Sequence, residues 1–180
     1  CIILLGILTV FFFNVKQIEA ASGLLGALSG ARQAKSVDEI VVNFQKTFDL
    51  ETFGSSEARE RLAEMTVQAV QGADSPGSLL PLVDKSIMEL TKEVNENPLV
   101  AKNIIFLAKL QSIKVSITGK DATRAEESYQ RALALAPLYP QTYLGLTEFY
   151  LITGQNEKAV VTSTKVLELV PINADLFYTI

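Results

Sequence analysis

Histidine is absent from this chain, and cysteine occurs once, as Cys1. Without histidine there is no imidazole acid or base, no Ser–His or Cys–His pair and no histidine metal ligand. A single cysteine excludes an intrachain disulfide and a Cys-x-x-Cys motif. The sequence also lacks a glycine-rich nucleotide loop and a nucleophile elbow. We therefore expect no catalytic residue, no metal site and no cofactor within these residues.

An excess of positive charge is missing as well. The 180 residues include 16 Lys and Arg against 20 Asp and Glu, which gives a net charge of -4 at pH 7. A nucleic-acid-binding surface needs clustered basic residues. This balance therefore argues against nucleic acid as a partner.

Paired carboxylates are present, but arginines accompany them. Glu57 and Glu60 flank Arg59, and Glu126 and Glu127 follow Arg124. A glycosidase needs two carboxyl groups that face each other across a cleft. On a helix surface, acidic and basic neighbours of this kind are typical of solvated charge, which is the interpretation we adopt.

The N-terminal stretch over positions 1–15, CIILLGILTVFFFNV, contains no charged side chain. A membrane-spanning helix needs about 20 apolar residues. Because the sequence begins with Cys1, we expect it to be part of a longer chain, in which residues 1–15 are the end of a transmembrane helix. A signal-peptide core and a lipidated N-terminal cysteine are the alternatives.

Residues 16–35 are rich in glycine, alanine and serine, and we expect a linker or a short interfacial helix there. Lys16, Arg32 and Lys35 outnumber Glu19 in this segment. Positive charge beside a membrane segment favours the cytoplasmic side. The residues that follow are therefore predicted to be cytoplasmic.

Residues 36–75 are predicted to be a helical segment. Ser36 and Glu39 have the spacing of a capping box, and Ser55 or Ser56 is placed to cap the next helix. A turn and a further amphipathic helix, over residues 81–96, follow this segment. The residues at helical spacing on its apolar face are Leu82, Ile87, Leu90 and Val94.

Residues 78–180 are predicted to be an array of helical hairpins, because part of this sequence repeats itself at an offset of 34. The matched pairs are Ala125 with Ala159, Ala132 with Val166, Leu133 with Leu167, Leu135 with Leu169, Pro137 with Pro171 and Tyr143 with Phe177. A period of this length is typical of stacked helix pairs, since one pair cannot bury its own apolar face.

Three repeats are placed in this array. The best spans residues 140–173, and another begins at 174–180. The repeat at 98–137 is degenerate, because the distance from Pro98 to Pro137 in the sequence exceeds the period by five positions. We expect the insertion in the loop between its two helices, near a turn at residues 119–121.

These repeats resemble the tetratricopeptide repeat family. The residues that match its pattern are Ala125, Tyr129, Ala132, Pro137, Tyr143, Leu146, Tyr150, Gly154, Ala159 and Pro171. Thr147, Ser163 and Val166 depart from it, where the family prefers Gly or Ala, an aromatic residue and Ala. The resemblance implies an α-solenoid whose first helices line a concave surface.

A partner groove is predicted on that surface, from the positions of the first helices that are not part of the pattern. These positions are Lys102, Ile105, Lys109, Gln141, Leu144, Glu148, Leu151 and Ile152. Several are apolar where solvent would favour polar residues, which indicates a groove for a peptide or a protein domain. Packing against further repeats beyond Ile180 is the alternative.

Residues 43–70 resemble the segment that follows the last membrane helix in bacterial O-antigen ligase-like or polymerase-like proteins. The matched residues are Phe44, Phe48, Leu50, Thr52, Phe53, Gly54, Glu57, Arg59 and Leu62. That family transfers lipid-linked glycan with residues of its membrane domain and large loops. None of those positions lies in this sequence, so no catalytic residue carries over.

Two functions are consistent with these sequence features. In the first, an inner-membrane glycan ligase or polymerase ends in this interaction tail. In the second, a single membrane anchor carries a non-catalytic repeat scaffold for envelope or secretion assembly. In both, the fold is all-α: the end of a transmembrane helix, a linker, and an α-solenoid that binds a protein or peptide.

Overall fold

The computed structural model describes residues 16–33, 36–49 and 53–170. Within these ranges every regular element is helical and no strand occurs, so the all-α prediction is confirmed. The membrane segment 1–15 and the start of a repeat at 174–180 lie outside the described residues. So do Leu50, Thr52 and Pro171.

Eight α-helices follow one another in the described part of the chain. Their bounds are α1 Lys16–Gln33, α2 Val37–Phe48, α3 Phe53–Gln71, α4 Leu80–Glu96, α5 Ala101–Thr118, α6 Ala122–Leu135, α7 Pro140–Ile152 and α8 Asn156–Leu169. A 3-10 turn, Pro76–Leu79, precedes α4. The contacts divide the chain into a first unit, Cys1–Glu96, and a second unit, Asn97–Ile180. Helix α4, which begins two residues after the predicted start of the repeats at 78, belongs to the first unit.

The small-residue segment is a packed helix, α1, rather than a loose linker. Two of its glycines let α1 approach α2 closely. A Cβ atom on Gly23 would lie 3.0 Å from Thr47 Oγ1, and one on Gly30 would lie 2.6 Å from Asn43 Nδ2. The small residues that indicated a linker therefore allow α1 and α2 to pack closely.

The core of the first unit is formed by apolar residues of the four helices described in it. Its buried members are Leu24, Ala27, Ala31, Phe44, Phe48, Ala58, Leu62 and Leu82. The rings of Phe44 and Phe48 stack with their centroids 6.0 Å apart. Within each of α1, α2 and α3 these residues are three or four positions apart, so each helix turns one apolar face to this core.

Ser36 caps α2, as its spacing to Glu39 predicts, whereas neither Ser55 nor Ser56 caps α3. The Glu39 N–H donates to Ser36 Oγ at 3.2 Å. Ser55, buried inside α3, donates to the carbonyl of Thr47 at 2.7 Å, and Ser56 donates to Glu93 Oε1 at 2.6 Å. Helix α3 begins two residues before Ser55, so both serines hold α3 to neighbouring helices instead of capping it.

The described part of the second unit, residues 97–170, consists of two helical hairpins, α5–α6 and α7–α8. Gly119 and Asp121 turn the chain in the first hairpin with φ of 69° and 65°, and Gly154 does so in the second with φ of 73°. Glycine reaches this left-handed region at little cost, which explains its place in both turns. The turn predicted at residues 119–121 is confirmed.

The helix bounds reproduce the period found in the sequence. The offset of 34 carries the first and last residues of α6, Ala122 and Leu135, onto those of α8, Asn156 and Leu169. The same offset carries the end of α5 onto the end of α7. It carries the start of α5 to a position five residues before the start of α7, because α5 has 18 residues and α7 has 13. The five inserted residues therefore lengthen a helix, and the expectation that they form a loop is wrong.

Candidate functional site

A groove lies on the second unit between α5 and α7, with α6 below it. We call it the α5–α7 groove, and its volume is about 310 Å³. The residues that line it are Lys102, Ile105, Phe106, Lys109, Tyr129, Tyr139, Gln141, Leu144, Gly145 and Glu148.

Six of the eight predicted groove residues line this groove together. They are Lys102, Ile105, Lys109, Gln141, Leu144 and Glu148. Leu151 and Ile152, at the end of α7, do not line it, although both are exposed. Helical spacing explains the set, since residues three, four and seven apart share one face of a helix.

Four lining residues are not predicted as groove residues by the sequence: Phe106, Tyr129, Tyr139 and Gly145. Phe106 lies four residues after Lys102, so the helical period contains the signal for it. The sequence assigns Tyr129 to the repeat pattern alone. No local signal marks Gly145 as part of a groove floor, because that role depends on a residue of another helix.

Tyr129 and Gly145 form the floor of the groove. A Cβ atom on Gly145 would lie 2.8 Å from Tyr129 Oη and 2.9 Å from its Cε1 atom, so the ring occupies the space of the absent side chain. Burial, opposed by a hydrogen bond with Ser112 and reinforced by the charge of Glu148, raises the pKa of Tyr129 to about 12. The phenol is therefore neutral at physiological pH and serves as a hydrogen-bonding group, not as a base.

The walls of the groove combine exposed apolar groups with positive charge. Leu144 is 41% exposed and Tyr139 is 48% exposed. The Lys102 ammonium lies 5.8 Å from the centre of the Phe106 ring, within the range of a cation–π contact. A surface of this kind binds side chains by apolar contact and charge. Within the lining, it holds no nucleophile that an adjacent base would activate.

The described residues of the repeat pattern are mostly core residues of the second unit. Ala125, Tyr129, Ala132, Leu146, Tyr150 and Ala159 are buried. Tyr143 is half-buried and donates a hydrogen bond of 3.0 Å to the carbonyl of Pro137, in the turn between the hairpins. The pattern therefore marks positions of packing, which are distinct from the groove wall except at Tyr129.

A polar contact links the two hairpins of the second unit. Tyr150 on α7 donates to Glu126 Oε1 on α6 at 2.8 Å, and Lys158 on α8 donates to the same oxygen at 3.0 Å. The Lys158 ammonium also lies 5.0 Å from the centre of the Tyr150 ring. The hydrogen bonds from Lys158 and Tyr150 hold the pKa of Glu126 below its ordinary value. Glu126 is thus part of an interhelical contact and not simply a solvated charge.

A second group of charges is buried in the first unit, where the sequence predicts surface charge. Arg59 Nη1 donates to Glu93 Oε2 at 3.2 Å and to Glu96 Oε2 at 3.0 Å. Arg59, Glu89 and Glu93 are all buried. The interpretation of Arg59 as a solvated residue is wrong, because its partners lie on α4, far along the sequence and beyond the reach of a local pattern.

Glu89 is surrounded by cations in this buried group. Lys85 and Lys92 both donate to Glu89 Oε1, at 2.9 and 3.0 Å. Burial alone raises the pKa of Glu89, but the hydrogen bonds and charges of the two lysines outweigh it and hold that pKa below its ordinary value. The paired charges tie α3 to α4, so we assign this group to packing and not to catalysis.

Metal sites and membrane spans are both absent from the described ranges. Among residues 16–33, 36–49 and 53–170, no group of three or more potential ligands is placed to hold a metal ion. In the same ranges no helix combines the length and the apolar character needed to cross a membrane. The predicted membrane segment, residues 1–15, lies outside these ranges.

The α5–α7 groove is therefore the candidate site of this chain. In comparisons with known proteins, no family model matches the chain and no curated protein matches it.

Proposed function

We propose that the chain is a protein–protein interaction module built as an α-solenoid of tetratricopeptide-like hairpins. The support is the spacing of the helices. Helices α6 and α8 are related by the same offset of 34 at both of their ends, and each of them buries its matched alanine, Ala125 or Ala159. A small side chain at that place lets the two helices of a hairpin approach closely.

The α5–α7 groove is the binding surface in this proposal. The observation that carries it is the gathering of six predicted partner-facing residues in one groove with exposed apolar walls. A groove of about 310 Å³ accepts a few side chains of a peptide segment. No cofactor and no nucleic acid enter the proposal.

A photo-cross-linking experiment tests this surface. A benzophenone amino acid replaces Leu144 in the groove or, as the matched control, Lys120 in the exposed turn. Each variant is produced in cells of the organism that the protein comes from, and the cells are irradiated. We expect a discrete cross-linked product of higher mass at position 144 and none at position 120. Products of equal yield at both positions, or at neither, would refute the groove as the binding surface.

We further propose that the module is the tail of a polytopic membrane protein that ligates or polymerises envelope polysaccharide, with the repeats on the cytoplasmic side of a bacterial inner membrane. The support is the resemblance of residues 43–70 to such tails and the uncharged stretch at 1–15. The second candidate is the singly anchored repeat scaffold.

The coding sequence upstream of Cys1 distinguishes the two candidates. A ligase or polymerase requires several further hydrophobic spans there, in a chain that also contains large loops. A start codon close upstream of residue 1, followed by a short basic stretch and no further hydrophobic span, would support the scaffold and exclude the enzyme. Either result leaves the proposed binding function of the groove unchanged.

A further inference from the structure

We propose that one edge of the second unit docks on the anionic surface of a lipid bilayer. We call it the leucine edge, and its exposed apolar members are Leu99, Val100, Leu135, Leu138 and Tyr139. Of these residues only Tyr139 also lines the α5–α7 groove. The inference goes beyond the proposed binding of a protein or peptide in that groove and does not depend on it.

Two turns of the second unit each project a leucine that follows a proline. Leu99 follows Pro98 and is 79% exposed, and Leu138 follows Pro137 and is 75% exposed. Among the large apolar side chains of the described ranges, these two have the highest exposed fractions. Scattered single apolar residues are normal on a surface, but here the same place in both turns carries one. The two leucines therefore indicate a shared surface.

The backbone of both turns is held in place by side chains. Arg131 Nη2 donates to the carbonyl of Pro98 at 3.0 Å. Tyr143 Oη donates to the carbonyl of Pro137 at 3.0 Å. The Arg131 contact also joins the first turn to α6, where Leu135 lies one helical turn further on the same face. The apolar side chains are thus presented together on one fixed edge.

The charged side chains at the leucine edge are positive. Lys102 and Arg131 are both exposed there. No aspartate or glutamate occurs in residues 97–120 or 128–147, which include the two turns. Glu96, just before the first of these ranges, is paired with an arginine of the first unit. Anionic lipid headgroups attract a basic surface of this kind, although the whole chain has a net charge of -4.

The shape of the leucine edge favours a lipid surface over a peptide. Peptides and small ligands bind in concave sites, such as the α5–α7 groove. Leu99 and Leu138 instead project from turns, where aliphatic side chains can enter the boundary between headgroups and acyl chains. Tyr139 combines an apolar ring with a polar hydroxyl, which suits the same boundary. A bilayer surface therefore accounts for the aliphatic, aromatic and basic groups together.

A tryptophan placed on the leucine edge tests this docking, because the chain itself contains no tryptophan. Leu99→Trp and Leu138→Trp place an indole on the edge. Val160→Trp is the matched control, since Val160 is 65% exposed on α8. Each full-length variant is reconstituted in vesicles of phosphatidylglycerol and dibrominated phosphatidylcholine, whose bromine atoms quench an indole that contacts the acyl chains. The readout is specific to one position, because the uncharged residues 1–15 can enter lipid themselves.

We expect the indole at positions 99 and 138 to be quenched about twofold or more and its emission to shift to shorter wavelength. The indole at position 160 is expected to show neither change. In vesicles of dibrominated phosphatidylcholine alone, the quenching at 99 and 138 should fall, because the anionic headgroups are missing. Circular dichroism verifies that each variant retains the helical fold.

Two further variants with the same change in net charge separate the leucine edge from general electrostatics. Lys102→Glu, combined with Leu138→Trp, is expected to lower the quenching in the anionic vesicles about twofold or more. Lys120→Glu, in the turn after the other end of α5, is expected to leave the quenching of the same indole unchanged.

Each outcome decides the proposal. Equal quenching at positions 138 and 160, or none at 99 and 138, would overturn docking through the leucine edge. Equal losses for Lys102→Glu and Lys120→Glu would overturn the pairing of this edge with anionic headgroups. An emission shift that appears without vesicles and grows with protein concentration would replace the lipid by a second copy of the chain. Cross-linking at position 144 reports on the groove alone, so the failure of either proposal is distinguishable from the failure of the other.

Discussion

Gly145 lies in the middle of α7, where glycine costs about 1 kcal/mol of stability relative to alanine. The Tyr129 ring explains its presence. That ring is buried, contacts Phe149 with the ring centroids 6.1 Å apart and fills the space above the Gly145 Cα atom. A residue that is unfavourable for the helix thus allows an aromatic side chain of α6 to reach the groove floor.

The first prediction follows from this contact. Gly145→Ala is expected to destabilise the chain by about 1–2 kcal/mol, because the new methyl group meets a buried ring that has little freedom to move. Gly26→Ala is the matched control, since nothing lies within 4 Å of a Cβ atom there. That variant is expected to be neutral or stabilising by up to about 1 kcal/mol. Urea unfolding measures both, and equal effects of the two variants would contradict the contact.

Arg59 illustrates a limit of sequence reasoning at the same scale. The sequence around it is a run of alternating charges, which is typical of a solvated face. The structure buries Arg59 against Glu93, a residue of α4 that no local pattern connects with it. A buried charge needs a partner, so Arg59 and Glu93 are stable inside only together.

At the scale of the element, helix positions were largely predictable and helix partners were not. The helix expected over residues 81–96 begins at Leu80 and ends at Glu96, because apolar periodicity and a terminating proline are local signals. The bonds of Ser55 and Ser56 depend on Thr47 and Glu93 in other helices. Six groove residues were predicted, because three of them share one face of α5 and three share one face of α7. The role of Gly145 in the floor was not predicted, because it depends on contact with Tyr129 of α6.

The interhelical contact of Glu126 gives the second prediction. Glu126→Gln is expected to lower the free energy of unfolding at pH 7 by about 1 kcal/mol, because the carboxylate accepts bonds from Tyr150 and Lys158. Glu127→Gln, its exposed neighbour on α6, is the control for the loss of one charge.

The effect of Glu126→Gln depends on pH in a defined direction. The pKa of Glu126 in the folded chain lies below the ordinary value of 4.5, so its contribution is present above pH 4.5 and is lost as the pH falls through the folded pKa. Urea unfolding at pH 7 and at about pH 3 is expected to show a difference between wild type and variant that shrinks in acid. A difference that grows in acid would show that the carboxylate is not stabilised by these bonds.

At the scale of the whole molecule, the chain consists of two units, and each has its own buried core. The core of the first unit gathers residues from α1 to α4, and that of the second gathers residues from α5 to α8. Contacts within one compact unit are lost together when that unit opens, and units that share few contacts open separately. Damage to the core of one unit is therefore expected to remain largely within it.

Ala159→Arg tests both the packing of the second unit and this locality. Ala159 is buried among Ala125, Tyr129 and Tyr150, so a long cation there overfills the core and buries an unpaired charge. The expected cost is about 3 kcal/mol or more, enough to unfold the second unit. Val160→Arg is the matched control, because Val160 is 65% exposed and an arginine there reaches solvent.

Amide hydrogen exchange of the two variants locates the damage along the chain. For Ala159→Arg we expect protection to disappear from α5 to α8 and to persist from α1 to α4, because each core is built from its own helices. Val160→Arg should leave both sets of amides protected. Loss of protection in all eight helices of the Ala159→Arg variant would show that the two cores unfold as one cooperative system. Full protection in that variant would show that position 159 tolerates an arginine, and the repeat packing derived from the period of the sequence would then be incorrect.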